Sequence, residues 1–226
     1  SWHPLLRSRN ANYSQLHKLP FLIYNNFMNK LRTKLKEVLE ISDIEWNNIK
    51  HLFFDKTVKK KTIIQRKNEV FNDLFFLKSG SARSYFLDHT GKEITWQLYF
   101  SDESSTLINL LLDDSISHYE NTGTPLTFEA LEDCEFSVIS LSKLEKLYQS
   151  ANKYQYLGRI ISHNTYFKTT FERSLSLLSN PAPKRYQDLI DKHPLILNTF
   201  KSNIIASYLG IAPQTLSKIK KLNLGE

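Results

Sequence analysis

The carboxy-terminal part of the chain contains a run of residues whose spacing is typical of two short helices that cross tightly. Ala206 is small enough to lie where the helices touch, and Gly210 tolerates the positive φ that a sharp bend requires. Pro213 suits the first turn of a second helix, because that turn does not need the N–H that proline lacks. The aliphatic residues of the run fall on the inner faces of both helices: Ile205, Leu209, Ile211, Leu216 and Ile219.

The outer face of the second helix carries amide, hydroxyl and cationic groups and no carboxylate. Its members are Gln214, Thr215, Ser217, Lys218, Lys220 and Lys221. Amide and cationic groups pair with base edges in the major groove of DNA, and hydroxyl and cationic groups bind phosphates. The pattern therefore predicts a helix-turn-helix that binds double-stranded DNA. The alternative is a helical hairpin that serves only for packing.

Positive charge is concentrated in the same part of the chain. The 226 residues carry a formal charge of +7. From residue 181 onward, seven Lys and Arg side chains are present against three Asp and Glu side chains. Release of counterions from DNA phosphates favours the binding of such a segment. Net charge alone does not distinguish it from an ordinary basic surface.

Composition excludes several classes of protein. Cys134 is the only cysteine, which rules out an intramolecular disulfide and fits a reducing cytoplasm, and we expect it to be a small core residue. No apolar run approaches the roughly eighteen residues of a membrane span. The seven histidines show no paired ligand spacing, so we predict no metal site and no cofactor. We expect His163 to face solvent and Asp113 and Asp114 to lie in a solvated loop. No catalytic grouping or phosphate-binding glycine loop indicates an enzyme.

The hydrophobic period divides the rest of the chain into elements. Residues 1–27 lack acidic side chains and precede the only methionine, Met28, so we interpret them as an upstream extension or a cloning remnant. Residues 28–52 have a helical period, with a cap at Ser42 and Asp43. Short β-rich runs separated by turns follow as far as residue 140 and predict an antiparallel barrel or roll. In one of them a single face carries four apolar residues: Ile94, Trp96, Leu98 and Phe100.

The helical period returns in residues 149–180. One stripe there steps alternately by three and four residues, which is typical of a dimeric coiled coil. Its members are Tyr154, Leu157, Ile161, Asn164, Lys168, Phe171, Leu175 and Leu178. A second stripe, which includes Ile160 and Phe167, could face the roll. We predict that this helix pairs two copies of the chain, and the alternative is that its stripe packs on its own domain. Residues 180–183 contain two prolines and predict a break.

The order of helix, β-roll, long helix and helix-turn-helix resembles the Crp/Fnr family of bacterial transcription regulators over residues 28–221. The resemblance is carried by the helix-turn-helix and by residues 77–82, 88–93, 100–103, 130–139 and 183–186. It implies an α+β fold with an antiparallel, cyclic-nucleotide-binding-like roll at residues 28–148, a dimerisation helix at residues 149–180 and a DNA-binding domain at residues 181–226. It also implies a cytoplasmic homodimer on a near-palindromic operator, with RNA polymerase as a candidate partner.

The same resemblance assigns roles on the second helix. Pro213, Gln214 and Lys218 lie where members of the family meet base edges. Gln214 could pair with adenine and Lys218 with guanine, whereas Pro213 has no donor to offer. We expect Thr215, Ser217 and Lys221 to bind phosphates and to set orientation.

The effector site departs from the family pattern for cyclic nucleotides. Asp102 stands where a Gly precedes the Glu of the phosphate-binding motif, and residues 121–126 lack the Arg. Because a cyclic phosphodiester needs a positive partner, we predict that cyclic AMP is not bound. The roll is then either a dimerisation scaffold or a pocket for another, unidentified small-molecule effector. The candidate pocket residues are Glu103, Ser104, Ser105, Thr124 and Pro125. The alternative function is a ligand-binding or scaffold module whose helical tail contacts a protein partner and not DNA.

Overall fold

The computed structural model describes residues 31–223. The predicted upstream extension, residues 1–27, and Met28 lie outside the described residues. The chain divides into two compact units, residues 1–50 and residues 51–226.

The described part of the first unit is helical. Residues 31–36 are helical, and helix α1 follows at Asp43–Lys50. The Ser42 hydroxyl accepts a hydrogen bond from the Glu45 N–H at 3.3 Å, while the Glu45 carboxylate accepts one from the Ser42 N–H at 3.0 Å. This reciprocal pair satisfies two N–H groups at the start of α1. The cap predicted at Ser42 is confirmed.

The second unit begins with a β-roll of two four-stranded antiparallel sheets, as the sequence predicts. One sheet has the strand order β1-β8-β3-β6, and the other has the order β2-β7-β4-β5. The strands are β1 (Phe54–Val58), β2 (Ile63–Gln65), β3 (Asp73–Ser79), β4 (Ser81–Leu87), β5 (Glu93–Phe100), β6 (Leu111–Leu112), β7 (Thr127–Ala130) and β8 (Cys134–Ser140). Strands β2 and β5 are thus the edge strands of the second sheet.

Aromatic rings fill much of the space between the two sheets. The ring centroid of Phe71 lies 4.8 Å from that of Phe128 and 5.9 Å from that of Phe75. Phe75 meets Phe136 at 5.5 Å, and Tyr99 stacks on Phe128 at 6.2 Å. All five rings are buried, and burial of each phenylalanine stabilises the fold by about 1.5–3 kcal/mol. These contacts join strands of both sheets into one core.

Strand β5 departs from the predicted alternation. A bulge places Trp96 as an extra residue, so that Ile94 pairs with Phe86 while Leu98 pairs with Arg83. Since positions 83 and 86 of β4 point to opposite sides of the sheet, Ile94 and Leu98 also lie on opposite sides. The predicted single apolar face from Ile94 to Phe100 is therefore wrong.

Short elements connect β5 to β7. They are helix α2 (Leu107–Leu110), strand β6 and helix α3 (Ser115–Glu120). Asp114 caps α3, since its carboxylate accepts hydrogen bonds from the Ser117 N–H at 3.1 Å and from the Thr124 hydroxyl. Asp114 is buried as a result, so the expectation that Asp113 and Asp114 form a solvated loop is wrong. No group of acidic, histidine and cysteine side chains in residues 31–223 could hold a metal ion.

Helices make up the rest of the described chain. They are α4 (Leu141–Ser150), α5 (Asn152–Ser162), α6 (Lys168–Ser179), α7 (Ala182–Lys192), α8 (Ile196–Thr199), α9 (Ser202–Tyr208) and α10 (Pro213–Asn223). A π-helical turn at His163–Phe167 joins α5 to α6. The predicted break is confirmed, because Asn180 and Pro181 have extended backbones. Among the helices of residues 31–223, none is long and apolar enough to span a bilayer.

The turn between β3 and β4 requires glycine at residue 80. Gly80 has a φ of +90°, and a Cβ atom there would lie 2.4 Å from the carbonyl oxygen of Asp133. We predict that Gly80→Ala lowers the free energy of unfolding by about 2–4 kcal/mol, because strain and a steric clash add. Gly91→Ala is the matched control, since Gly91 has a φ of +82° and open space around it. It should cost only about 1–2 kcal/mol, and equal losses in urea denaturation would contradict the role of the clash.

Candidate nucleic-acid interface

Helices α9 and α10 cross at a tight turn around Gly210. Gly210 has a φ of +66°. Its N–H donates to the Ser207 carbonyl at 3.1 Å, and the Ile211 N–H donates to the Ala206 carbonyl at 3.0 Å. Such bonds end a helix at a left-handed residue and redirect the chain. Ala206 is completely buried, so the predicted helix-turn-helix arrangement is present.

The inner faces of the two helices belong to a core that holds α10 in place. The buried residues of this core from α7 to α10 are Tyr186, Leu189, Ile196, Phe200, Ile204, Ile205, Ala206, Leu209, Leu216 and Ile219. Ile211, which the sequence also places inside, is only partly buried. Leu98 and Phe100 of β5 complete the core, so the roll and the helix-turn-helix share buried surface.

The outer face of α10 is open to solvent. All six residues predicted to bind DNA are exposed: Pro213, Gln214, Thr215, Ser217, Lys218 and Lys221. The first turn of α10 holds no acidic residue, and Lys220 and Lys221 lie in the last turn. Lys220 differs from its neighbours, because it is half-buried and its ammonium donates to the Ser202 hydroxyl at 3.0 Å. We therefore assign Lys220 to the contact between α9 and α10.

The five residues predicted to line an effector pocket have different surroundings. Glu103 and Pro125 are exposed. The Ser104 hydroxyl donates to the Asp102 carboxylate at 2.8 Å, and the buried Ser105 donates to the Asp102 carbonyl at 2.6 Å. Thr124 is fully buried and, in addition to its bond to the carboxylate that caps α3, accepts the Leu126 N–H at 3.0 Å. The loop that contains Ser104 and the segment that contains Thr124 are thus each held by their own partners.

His193 connects the loop at residues 102–104 to the helix-turn-helix domain. It follows α7, is buried, and lies 3.1 Å through Nδ1 from the Ser104 hydroxyl. Its ring meets the Phe100 ring edge-on at 5.1 Å. Burial lowers the pKa of His193 and the Lys192 charge adds to this, while the Asp102 carboxylate acts in the opposite direction. The sequence gives no signal for this contact beyond a histidine before a proline.

Two tyrosines form a second polar group that the sequence did not predict, namely the buried Tyr99 and the half-buried Tyr166, whose hydroxyl is buried. Burial raises the pKa of Tyr99 and of Tyr166, and the negative charge of Asp113 raises both further. The Tyr99 hydroxyl lies 3.3 Å from the Ser84 hydroxyl. Tyr166 belongs to the π-helical turn, so this group lies between the long helix and the roll. The negative charge of Asp113 makes this region unfavourable for an anion.

The long helix presents two different surfaces. Of the predicted dimer stripe, Tyr154 and Leu157 are buried by the chain itself and Ile161 is half-buried. The remaining members are exposed: Asn164, Lys168, Phe171, Leu175 and Leu178. The π-helical turn explains the change, because its wider repeat rotates the residues that follow it around the helix axis.

An exposed apolar stripe follows from this rotation. Phe167 belongs to the second stripe, which the sequence allowed to face the roll, but its side chain is 65% exposed. Its ring stacks on that of Phe171 at 6.1 Å, and the ring of His163 stacks on Phe167 from the other side at 5.6 Å. His163 is exposed, as predicted. We call Phe167, Phe171, Leu175 and Leu178 the apolar stripe.

Cys134 lies in the core of the roll, as predicted. Its thiol is buried and donates to the Ser81 carbonyl at 3.3 Å, and burial raises its pKa to about 11. The thiol is therefore protonated and shielded from solvent, which suits a structural role.

The sequence of the roll is similar to a known family of domains. Residues 55–151 match the family model described as the cyclic nucleotide-binding domain. The search of curated proteins found no match to this sequence.

Solved structures extend the match beyond the roll. FixK2 from Bradyrhizobium japonicum superposes with a TM-score of 0.61 at 16% identity, covering 76% of this chain and 86% of that one. A variant of CooA from Carboxydothermus hydrogenoformans gives 0.61 at 18% identity, covering 85% of each chain. A Crp/Fnr-family transcriptional regulator from Eubacterium rectale gives 0.58 at 18% identity, covering 80% of this chain and 83% of that one.

These matches confirm the predicted resemblance. Residues 55–151 are similar to cyclic nucleotide-binding domains, and the α+β architecture of the described residues is the fold of the Crp/Fnr regulators.

Acid should weaken the fold through His193. Because the folded chain lowers the pKa of His193 below its ordinary value of 6.5, the unfolded chain binds more protons as the pH falls through this range. The free energy of unfolding should therefore decrease below pH 6.5, by at most about 1.4 kcal/mol per pH unit from this residue. His193→Gln should remove that part of the pH dependence in urea denaturation compared at about pH 7.5 and about pH 5.5. Identical slopes for the variant and the natural chain would disprove this role.

Proposed function

We propose that this protein is a transcription regulator that binds a near-palindromic DNA operator as a homodimer. The observation that carries the proposal is the outer face of α10, which offers an amide, hydroxyls and ammonium groups to solvent without a carboxylate in its first turn. It is supported by the fold, which is that of known transcription regulators. Such a role places the protein in the cytoplasm of a bacterium, with RNA polymerase as a candidate partner. It does not require enzymatic activity.

The exposed residues of α10 divide into base readers and phosphate binders. Gln214 and Lys218 lie one turn apart, so they face the same part of a major groove. An amide pairs with adenine through two hydrogen bonds, and an ammonium donates to the acceptors of guanine. Thr215, Ser217 and Lys221 flank them and have the chemistry to bind the phosphate backbone. Pro213 begins the helix and contributes shape only.

The apolar stripe supports pairing of two copies of the chain. Phe167, Phe171, Leu175 and Leu178 are each between 49% and 87% exposed, although they follow one another along one side of the helix. An apolar stripe of this kind is stabilised when a second helix covers it. A twofold pair would present two α10 helices to successive major grooves about 34 Å apart. We assign the stripe, with Asn164 and Lys168 beside it, to the dimer interface.

The roll is proposed not to bind cyclic AMP. Asp102 stands where the family pattern has a Gly, and its carboxylate would repel the phosphate. The buried arginine of the roll, Arg83, is already paired, with its guanidinium 2.5 Å from the Glu93 carboxylate and 2.9 Å from that of Glu129. It also lies on the side of its sheet that faces away from the aromatic core, since it pairs with Leu98. The roll then acts as a scaffold or responds to another small molecule.

Two lysine variants test the DNA-binding face. We predict that Lys218→Ala weakens binding to the best operator by about 1–3 kcal/mol and relaxes the base preference at one position. Lys221→Ala should weaken binding about equally on all sequences and reduce the salt slope by about one. The measurement is selection from a random duplex library followed by fluorescence anisotropy on the selected sites at several salt concentrations. Equal losses from both variants on every sequence would contradict the base-reading role of Lys218.

Absence of salt-dependent duplex binding by the natural chain would favour a protein partner for the helical tail.

A charge on the apolar stripe tests the dimer. Leu175→Glu should lower the association constant about a hundredfold or more, because each copy would bury an unpaired carboxylate. Thr170→Glu is the control, because Thr170 is exposed on α6 but lies to the side of the stripe. Sedimentation velocity over a range of protein concentrations measures both. A dimer that withstands Leu175→Glu would place the interface elsewhere.

A further inference from the structure

The free edge of strand β5 is covered by side chains from the helices. Because β5 ends its sheet, one side of its backbone has no neighbouring strand to pair with. The Thr95 N–H donates to the Ser207 hydroxyl of α9 at 2.9 Å, and that hydroxyl donates to the Glu93 carbonyl at 3.2 Å. Strand β5 is thereby joined to the first helix of the helix-turn-helix.

Arg173 of α6 covers the next part of the same edge. Its guanidinium donates to the Trp96 carbonyl at 2.8 Å and to the Thr95 carbonyl at 3.3 Å. It also donates to the Tyr208 carbonyl at the end of α9, at 3.0 Å. One planar group therefore holds three elements together: the long helix, the edge of the roll and the helix-turn-helix.

Two aromatic rings complete the surroundings of Arg173. The guanidinium carbon lies 4.5 Å from the Tyr208 ring centroid and 5.3 Å from that of Trp96. Burial lowers the pKa of Arg173, but a guanidinium stays charged at any physiological pH. Its several donors fit the divergent carbonyls, which the single ammonium of a lysine would not match. The bulge at Trp96 matters here, because it turns the Trp96 and Thr95 carbonyls toward one donor group.

Arg173 and the apolar stripe lie on opposite sides of α6. Residue 173 lies on the side of the helix opposite to Phe171 and Leu175 of the apolar stripe. On its own side, Leu177 approaches the turn of the helix-turn-helix closely, since a Cβ atom on Gly210 would lie 3.1 Å from its Cδ2 atom. Helix α6 therefore offers one face to a second copy and holds the helix-turn-helix with the other.

We propose that Arg173 is a positioning residue for operator recognition, which fixes the angle between the helix-turn-helix and the dimer axis by tying the end of α9 to the edge of β5. The inference rests on the proposed function, because the angle matters only if two heads must meet two half-sites. A fixed angle gives a fixed distance between the two α10 helices, and therefore a preferred half-site spacing.

The test compares Arg173→Gln and Arg173→Lys with a charge-matched control. Arg159→Gln is the control, since Arg159 is exposed on α5 and its guanidinium lies 5.3 Å from the ring of Tyr156. Each variant is titrated with duplexes that carry the same half-sites at spacings from two base pairs shorter to two longer than the optimum. For Arg173→Gln we expect the preference for the best spacing over its neighbours to fall about tenfold, as for the loss of a charge-assisted hydrogen-bond group. Arg173→Lys should lose an intermediate part, and Arg159→Gln should keep the full preference.

A uniform loss of affinity at every spacing would overturn the proposal, because it would mean that Arg173 only stabilises the fold. A second measurement needs no DNA, namely hydrogen exchange at the Thr95 amide in the full chain. Arg173→Gln should accelerate this exchange about tenfold or more relative to Arg159→Gln, since the adjoining bond to Ser207 would open more often. Unchanged exchange at the Thr95 amide would also contradict the proposal, because it would mean that Arg173 does not hold α9 to β5. If the natural chain binds no duplex, the proposed function fails, and the exchange experiment still decides whether Arg173 holds α9 to β5.

Discussion

Docking of the helix-turn-helix on strand β5 is the interaction on which the arrangement of residues 51–226 depends. The strand has two sides, and each belongs to a different core. Tyr99 points into the aromatic core of the roll, while Leu98 and Phe100 point into the core of the helix-turn-helix. Alternation along a strand makes this double use possible, since neighbouring side chains point in opposite directions. The outer face of α10 is therefore oriented by the roll as well as by its own two helices.

Features set by neighbouring residues could be predicted from the sequence. Ala206, Gly210 and Pro213 determine the helix-turn-helix within a few residues of each other, and the structure has the bend where they place it. The roll follows from β-rich runs between turns, and the cap at Ser42 follows from the acid three residues later. In each case the residue types that favour the element lie together along the chain, although the strands of the roll pair with distant partners.

Features that depend on distant contacts could not be predicted. In the sequence, nothing distinguishes Arg173 from other polar residues on a helix, because its partners lie in β5 and at the end of α9, far away along the chain. The sequence predicts that Asp114 lies in a solvated acidic loop. In the structure its carboxylate caps α3 and accepts a hydrogen bond from the Thr124 hydroxyl, and these bonds make its burial favourable. The heptad spacing is present in the sequence of the long helix. The π-helical turn, however, places the stripe residues that follow it on a different side of the helix from those that precede it. Steric and hydrogen-bonding demands of the folded chain decide such details.

The stacked rings of His163, Phe167 and Phe171 have a consequence under twofold symmetry. In an isologous interface the same patch is contributed by both subunits, so any residue near the axis appears twice. A substitution in this ladder of rings would then change the association free energy by two equal increments. The association constant of the dimer would then change by the square of the factor that one copy of the substitution contributes. Modest changes at these positions would therefore produce large differences in the fraction of dimer.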